Sequence, residues 1–387
     1  MKIDIHHRCT DFKSYRAARV KSLFNVESGA NFCLSADLPI DEPSWNASHD
    51  SPWKPWKLGL VVGPSGSGKS SIGSRIWGDE ALYQAIWPDR RPIVDAIAPG
   101  GEFDRVTAAL SAVGLGSVPA WLRPYSVLSN GERFRADLAR IISDAPPRVV
   151  IDEFTSVVDR QIARIGALAF QKAWRRTAGQ CVLLSCRYDI VDWLEPDWIF
   201  DAGTGKFTAR GLWRRPAIEL ELWETDWRYW PLFEPHHYLK MPKMIAAQNY
   251  VATVDGELVA HVAVSTRPGL VEARACRLVV MPEWQGAGVG VRFLDAVCAR
   301  WARGENRYGI KVPTLFHTSH PGLAAALRRN SRWTQISGKL HGEHRGRCMA
   351  TLAKSAARSG KWNAPGSGYG GHFRAVQGFR YLGLNDA

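Results

Sequence analysis

The chain has 387 residues and no run of roughly twenty apolar residues, the length that a bilayer-spanning helix needs. Its start, Met1 to Arg8, has no apolar signal core. Its seven cysteines are odd in number and scattered, without paired spacing. These absences argue against a membrane-spanning helix and against a disulfide framework. We therefore expect a soluble cytoplasmic protein with reduced thiols and no membrane partner.

A glycine-rich octapeptide directly follows the apolar run 58–62. The phosphate-binding candidates are Gly63, Pro64, Ser65, Gly66, Ser67, Gly68, Lys69, Ser70 and the adjacent Ser71. A strand followed by this pattern predicts a loop whose backbone amides wrap a nucleoside triphosphate. Lys69 is expected to reach the terminal phosphates, and the Ser70 hydroxyl to hold Mg²⁺. The chain is therefore expected to bind ATP or GTP.

Further motifs distinguish among the nucleotide-binding families. Residues 128–132 read Leu-Ser-Asn-Gly-Glu, a basic helix-like stretch follows over 133–142, and the strand-like run 148–151 leads into Asp152 and Glu153. This order resembles an ABC-type ATPase. The resemblance implies that Asp152 holds Mg²⁺ through water and that Glu153 polarises the water that attacks the γ-phosphate.

The same resemblance implies a nucleotide-dependent homodimer. Ser129 and Gly131 would contact phosphates held by the opposite subunit, and the D-loop pattern of residues 156–159 would touch that subunit. Asn130 and Glu132 depart from the family signature, where glycine and glutamine stand at these positions.

Two other departures concern hydrolysis and transport. Arg187 occupies the position of the switch histidine; an arginine can contact a γ-phosphate but cannot orient water through a neutral imidazole. Slow or regulated hydrolysis is therefore expected. Only about sixty residues separate Lys69 from Ser129, fewer than transporters use to dock on membrane helices. Gln84 is the candidate Q-loop glutamine, and we expect a non-transport ABC protein.

The ATPase motifs end near Ile199, so a second domain is required. The predicted division is an ATPase domain over 1–212, a linker or start of the second domain over 213–234, and the second domain over 235–387. Its first feature is a predicted hairpin whose strands, 250–254 and 257–264, flank an Asp-Gly turn.

A second glycine loop opens an amphipathic helix over 291–301. It follows a strand that includes Val280, and it consists of Gln285, Gly286, Ala287, Gly288, Val289 and Gly290. Hairpin, strand, Gln-x-x-Gly-x-Gly and helix together resemble the acetyl-CoA-binding motif of GNAT-type N-acyltransferases. The resemblance implies that the loop amides hold the cofactor pyrophosphate. The predicted fold class is an α/β ABC-type P-loop domain followed by a GNAT-like α+β domain.

The GNAT resemblance also implies catalytic groups. A backbone group of the splayed strand would bind the acyl carbonyl, a carboxylate or water would deprotonate the acceptor amine, and a tyrosine would protonate the thiolate. Glu272 is the candidate carboxylate, and Tyr369 and Tyr381 are the candidate acids. The histidines and cysteine at 317, 320, 341, 344, 348 and 372 form either a metal site or a histidine-rich groove surface, and their spacing fits no standard zinc module.

Charge indicates the acceptor. Residues 300–387 contain 15 Lys and Arg against 3 Asp and Glu, interleaved with Trp333, Trp362, Tyr369 and Phe373. This composition is typical of nucleic-acid binding, with basic groups along phosphates and aromatic rings on an exposed base. A solvated positive face, or a few residues that serve coenzyme A, is the alternative.

The arrangement resembles a class of phage and prokaryotic proteins that fuse an ABC-type ATPase to an acetyltransferase domain. The phage Mom modifier and the tRNA cytidine acetyltransferases are architectural analogies. We predict ATP-dependent acylation of a base amine, with DNA preferred over RNA. The alternatives are an ATP-regulated transferase for a protein or small amine, and a non-catalytic binding module.

Overall fold

The structure is a computed structural model that describes residues 1–8, 14–24, 31–40, 56–209, 216–237, 243–244, 246–266, 269, 271–339 and 375–383. The chain forms two compact units, one of Met1–Ile86 with Asp144–Pro216 and one of Trp87–Ser143 with Ala217–Ala387. The predicted N-terminal domain therefore contributes residues to both units. The borders at 212 and 235 stay a prediction.

Strands and helices are numbered in chain order over the described residues. The strands are β1 (Lys2–Arg8), β2 (Asn31–Asp37), β3 (Leu58–Val62), β4 (Arg148–Ile151), β5 (Gln180–Ser185), β6 (Trp198–Asp201), β7 (Lys206–Ala209), β8 (Glu221–Thr225), β9 (Gln248–Val254), β10 (Glu257–Thr266), β11 (Ala273–Val280), β12 (Thr314–Thr318), β13 (Trp333–Lys339) and β14 (Val376–Tyr381). The helices are α1 (Tyr15–Phe24), α2 (Lys69–Trp77), α3 (Ile93–Ala96), α4 (Phe103–Ala112), α5 (Val118–Trp121), α6 (Asn130–Asp144), α7 (Arg160–Trp174), α8 (Val191–Leu194), α9 (Trp230–Phe233), α10 (Val289–Arg303) and α11 (Pro321–Arg329).

The first unit contains a sheet with the strand order β4, β5, β3, β6, β7. Its first four strands are parallel, and β7 joins antiparallel. All five residues of β3 are buried, as expected for an apolar strand covered on both faces of a parallel sheet. The strands β1 and β2 pair antiparallel, and Ile3 and Ile5 enter the same core as Ile72 of α2 and Trp198 of β6.

The second unit contains a sheet with the order β13, β14, β12, β11, β10, β9, β8. Only the pair β11 and β12 is parallel among these described strands, and α10 connects the two. The predicted hairpin is confirmed, because Val254 pairs with Glu257 across the turn. Asp255 and Gly256 have φ values of 49° and 82°, which fit a two-residue hairpin turn.

In the part of the chain that the structure describes, no helix combines the length and the apolar character that crossing a membrane requires.

Candidate functional site

The first glycine loop joins β3 to α2. Gly66 and Gly68 have φ values of 79° and 85°, a left-handed conformation that glycine adopts without strain. Among the described residues, the amides of Gly66, Gly68 and Lys69 have no hydrogen-bond acceptor. The Lys69 ammonium donates to the carbonyls of Gly63 at 2.9 Å and Pro64 at 2.7 Å. The loop thus presents unbonded amides and a cation together, which suits a polyphosphate.

An acidic pair follows β4 at the same edge of the sheet as this loop, because β3, β4 and β5 run parallel. Asp152 and Glu153 are both exposed. Glu153 has a φ of 49°, a strained value for a residue other than glycine. Its amide donates to Asp152 Oδ1 at 2.7 Å, and the Ser156 hydroxyl donates to its carbonyl at 2.8 Å. Held strain of this kind is typical of functional positions.

Arg187 follows β5 and is tied to the predicted D-loop. Its Nη2 donates to the Val158 carbonyl at 2.6 Å, and its amide donates to Ser185 Oγ at 3.1 Å. The D-loop ends at Asp159, whose Oδ1 caps α7 by accepting from the Ile162 amide at 2.9 Å. The guanidinium therefore connects the switch position to the D-loop backbone.

The predicted signature forms the start of α6 in the second unit. Glu132 Oε2 accepts from both the amide and the hydroxyl of Ser129, each at 2.9 Å, and the Glu132 amide donates to Ser129 Oγ at 3.4 Å. This reciprocal arrangement is a capping box. The glutamate at the fifth signature position therefore has a local structural role, and it engages the Ser129 hydroxyl.

The second glycine loop joins β11 to α10. Gly286 and Gly288 have φ values of 94° and 81°. A Cβ at Gly288 would meet nothing within 4 Å, whereas a Cβ at Gly290 would lie 2.9 Å from Val280 Cγ2. In the described part of the chain, the amides of Gly288, Val289 and Gly290 have no acceptor. Open space beside unbonded helix-start amides forms a cradle for an anion.

The strands beside this loop separate from one another. The ladder between β11 and β12 covers only Ala273–Ala275 against Thr314–Phe316, although β11 continues to Val280. A register shift between β10 and β11 falls where Arg277 has a φ of 58°. The carboxyl half of β11 is therefore not paired with β12. The opening between the two strands lies at the edge of the sheet where the glycine loop begins. The predicted splay of this strand is present.

Sequence comparison identifies the ATPase part. The cytochrome c biogenesis ATP-binding export protein CcmA of Rhodospirillum rubrum is 33% identical over 166 residues, which cover 34% of this chain and 69% of that protein. The chain belongs to the ABC-type ATPase family. This membership confirms the family that was predicted from the P-loop, the signature and the acidic pair.

The acetyltransferase (GNAT) domain family matches residues 246–327 of this ABC protein, from β9 into α11. The predicted fusion of the two domains is therefore confirmed. Solved structures similar to this chain include MJ0796, a bacterial ABC transporter cassette described as dimeric, at 13% identity and a TM-score of 0.35 over 46% of this chain and 93% of that one. Another is cbiO1 from Clostridium perfringens, at 17% identity and a TM-score of 0.32 over 40% of this chain and 76% of that one.

The two cofactor classes fit the residues present. ABC-type ATPases use ATP with Mg²⁺, and the first loop offers amides, Lys69 and the exposed Ser70 at the same edge of the sheet as the acidic pair. GNAT domains use acyl-CoA, and the second loop offers the open cradle at Gly288. Buried Ala287 and Val289 anchor this loop to the protein while Gly288 stays exposed.

Two predicted catalytic residues lie far from the second loop. β11 begins at Ala273, so Glu272 precedes the strand rather than standing on it, and its Oε1 lies 3.5 Å from Arg274 Nη2. Since a strand rises about 3.3 Å per residue, Glu272 is more than ~20 Å along the strand from Val280. Tyr381 follows Arg380, the partner of Leu315, and so lies at the same distant end. The pantetheine arm of an acyl-CoA separates its thioester from its pyrophosphate, so the acid and base roles of Glu272 and Tyr381 stay predictions.

Other candidates divide between described and undescribed residues. Tyr369, His341, His344, Cys348 and His372 lie outside the described residues. His317 stands on β12 and His320 caps α11. The described residues contain no group of three or more histidine, cysteine or acidic side chains placed to hold a metal ion.

Two further polar side chains near the opening, those of Ser319 and His261, were not predicted from the sequence. The Ser319 hydroxyl, just beyond β12, is buried and has no partner among the described residues. His261 on β10 is fully buried, and its Nδ1 lies 3.3 Å from the Arg277 carbonyl at the register shift. Trp230 packs on His261 with ring centroids 5.1 Å apart. Burial lowers the pKa of His261 to about 4. Neither residue belongs to a short motif that would have marked it.

Proposed function

We propose that the chain is an ATP-dependent N-acyltransferase that modifies a base amine of nucleic acid, with DNA preferred over RNA. The main support for the two enzymatic activities is that a single chain contains two glycine loops with left-handed glycines. Each loop connects the end of a strand to the start of a helix. The first suits ATP with Mg²⁺, and the second suits the pyrophosphate of acetyl-CoA or a related acyl-CoA.

For the ATPase reaction, Lys69 would bind the terminal phosphates, and Ser70 and Asp152 would hold Mg²⁺. Glu153 would polarise the attacking water. Ser129 and Gly131 would reach the nucleotide of a second copy, which supports a nucleotide-dependent homodimer. We place this protein in the cytoplasm of a prokaryotic or phage-infected cell, without a membrane partner.

In the transfer step, the acceptor nitrogen forms a bond to the acyl carbon, the carbon–sulfur bond breaks, and the thiolate leaves. The amine loses one proton and the thiolate gains one, so no redox partner is needed. Backbone groups of the splayed half of β11 would orient the carbonyl. The described residues place no carboxylate on β11, which favours water as the acceptor of the amine proton. Tyr381 and Tyr369 are the two proposed acids.

Charge supports the nucleic-acid acceptor. Arg328, Arg329 and Arg332 are exposed together at the end of α11. Trp333 does not join them as a stacking surface: it is 5% exposed, and its indole nitrogen donates to Asp295 Oδ1 at 2.5 Å. The expectation that Trp333 stacks on a base is therefore wrong, because this ring completes the core.

A protein or small amine is the second candidate acceptor, favoured by the internal pairing of some of this charge. Glu305 accepts from Arg303 at 2.5 Å and lies 3.8 Å from Arg300. Arg332 lies 3.7 Å from Asp295. Part of the positive excess is thus neutralised locally rather than left for phosphates.

The test is incubation of the purified protein with ATP, Mg²⁺, acetyl-CoA and duplex DNA, followed by digestion and mass spectrometry of the nucleosides. We expect a mass-shifted nucleoside that disappears in Lys69→Ala and Gly288→Asp but persists in Gly288→Asn. Parallel reactions with RNA and with a lysine peptide test the other acceptors. Consumption of acetyl-CoA without a shifted nucleoside from DNA or RNA would contradict the nucleic-acid assignment.

A further inference from the structure

The second unit joins the signature helix to the acyl-CoA loop through one short segment, residues 113–117. Gln285, the first residue of the loop, contacts this segment with one end of its side-chain amide and its own strand with the other. Its Oε1 accepts from the Gly116 amide at 3.0 Å, and its Nε2 donates to the Val280 carbonyl at 2.9 Å. Both polar ends are therefore satisfied, which fixes the amide orientation.

The segment approaches the loop too closely for a side chain at two positions. A Cβ at Gly114 would lie 2.1 Å from the Gln285 carbonyl oxygen, and a Cβ at Gly116 would lie 2.8 Å from Gln285 Oε1. Gly114 also has a φ of 80°. Only glycine allows this packing of backbone on backbone at Gly114.

The GNAT-side helix α11 holds the same segment from another direction. His320 Nδ1 accepts from the Leu323 amide at 3.2 Å, so Nε2 carries the proton and donates to the Gly116 carbonyl at 3.2 Å. Trp121 of α5 packs against the His320 ring with centroids 5.4 Å apart. Gly116 is thus fixed through both its amide and its carbonyl.

The signature helix reaches the segment through Arg135. This arginine of α6 is 4% exposed, and its Nη1 donates to the Gly114 carbonyl at 2.6 Å. α6 begins at the signature, where Ser129 forms its cap. A continuous path of contacts therefore runs from Ser129 through Arg135 and Gly114 to Gln285.

We propose that Gly116 is a positioning residue for the acyl-CoA loop and that acyl-CoA affinity is linked through Gln285 to the state of the signature helix. The inference rests on the proposed function. Binding of ATP between two copies would restrain α6 and, through the contacts described, the acyl-CoA loop. Acyl-CoA binding would then cost less conformational entropy. ATP and acetyl-CoA should then tighten each other by the same factor.

The first test is a double-mutant cycle on acetyl-CoA affinity, measured by calorimetry on the full chain. Gly116→Ala displaces the Gln285 amide, and Gln285→Met keeps its length but removes both hydrogen bonds. Each should raise the Kd about fivefold, as loss of one or two such bonds predicts. Ser117→Ala is the matched control, because the Ser117 side chain makes no cap bond.

Non-additivity decides this test. We expect the double variant to bind acetyl-CoA no more weakly than the weaker single variant. If the Kd of the double variant rises by the product of the two single increases, the role of Gly116 is overturned, because Gly116 then acts independently of Gln285. Unchanged ATP affinity and an unchanged circular dichroism spectrum verify that each variant folds.

The second test measures the linkage in a Glu153→Gln background, where hydrolysis does not interfere. Saturating ATP should lower the Kd of acetyl-CoA roughly tenfold, within the usual range of such couplings. The ratio of the acetyl-CoA Kd without ATP to that with ATP should fall to near one when Gln285→Met is added. A ratio that survives this change, or that equals one in the parent, would overturn the linkage.

The two proposals fail in distinguishable ways. Acetyl-CoA that does not bind the wild-type chain at all would contradict the proposed transferase together with this inference. Acetyl-CoA that binds normally, with multiplicative variants and no ATP effect, would contradict the inference alone.

Discussion

The carboxylate of Glu132 accepts a hydrogen bond from the hydroxyl of Ser129 at 2.9 Å, at the first turn of the signature helix α6. In the proposed dimer this hydroxyl turns toward a phosphate of the opposite nucleotide. A carboxylate beside it then repels that phosphate and competes for the hydroxyl proton. The signature therefore combines a good helix cap with an unfavourable charge.

Replacement of Glu132 by glutamine should strengthen ATP-driven dimerisation. The substituted side chain still accepts from the Ser129 amide and keeps the capping box, but it carries no charge. We expect the ATP concentration needed for half-maximal dimer to fall several-fold in a Glu153→Gln background. Light scattering measures this directly.

Glu132→Ala is the control for this change, because it removes the charge and the cap together. It should weaken the start of α6 by about 1 kcal/mol. If Glu132→Gln dimerises no better than the parent, the carboxylate does not oppose nucleotide binding.

The acyl-CoA loop offers a matched pair of substitutions at Gly288. Aspartate and asparagine have the same shape, and both tolerate the left-handed φ of 81° better than other side chains do. We expect Gly288→Asp to raise the Kd of acetyl-CoA at least tenfold through repulsion of the pyrophosphate, and Gly288→Asn to raise it much less. Equal losses would mean that charge does not matter at this position.

Gly290 is less suited to such a test. A Cβ there would lie 2.9 Å from Val280 Cγ2, so a substitution disturbs the packing of α10 on β11 before it meets any ligand. We expect Gly290→Ala to lower the free energy of unfolding by about 1 kcal/mol or more. Chemical denaturation compares it with Gly288→Asn, which meets no neighbour.

Glu153→Gln should abolish ATP turnover while ATP still binds, because the amide cannot polarise water as a carboxylate does. The protein should then accumulate as an ATP-bound dimer. Phosphate release and light scattering measure the two effects. Unchanged hydrolysis in this variant would remove the role we give to Glu153.

Local motifs made both glycine loops predictable. Each consists of consecutive residues after an apolar strand, so spacing alone predicted that a helix follows each loop. The second helix was predicted over 291–301, and it begins two residues earlier, at Val289. The Asp-Gly hairpin was predictable for the same reason. The capping pair of Ser129 and Glu132 also stood within one Ser-x-x-Glu pattern.

Positions set by tertiary structure were not predictable in this way. Glu272 and Tyr381 are distant from the loop because strand direction and register decide which end of the sheet a residue occupies. The bond between Gly116 and Gln285 joins residues 169 positions apart. Trp333 looked like a surface aromatic because its neighbours are basic, but its indole nitrogen finds a buried partner in Asp295.

Acid should destabilise the protein through His261. Burial among aromatic rings lowers the pKa of His261 to about 4, and the nearby charges of His237 and Arg277 act in the same direction. An unfolded histidine has a pKa near ~6.5. Between these two pH values, His261 is protonated in the unfolded state but not in the folded state. The contribution of this group to the free energy of unfolding is therefore fully present above about pH 6.5 and is lost as the pH falls toward 4.

The loss should amount to about 3 kcal/mol from this group. His261→Leu removes the titrating group, so its unfolding midpoint in urea should fall less between pH 7 and pH 4.5 than that of wild type. Some dependence should remain, because burial also lowers the pKa of His320. Equal pH dependence in the variant and wild type would show that His261 is protonated in the folded state as readily as in the unfolded state.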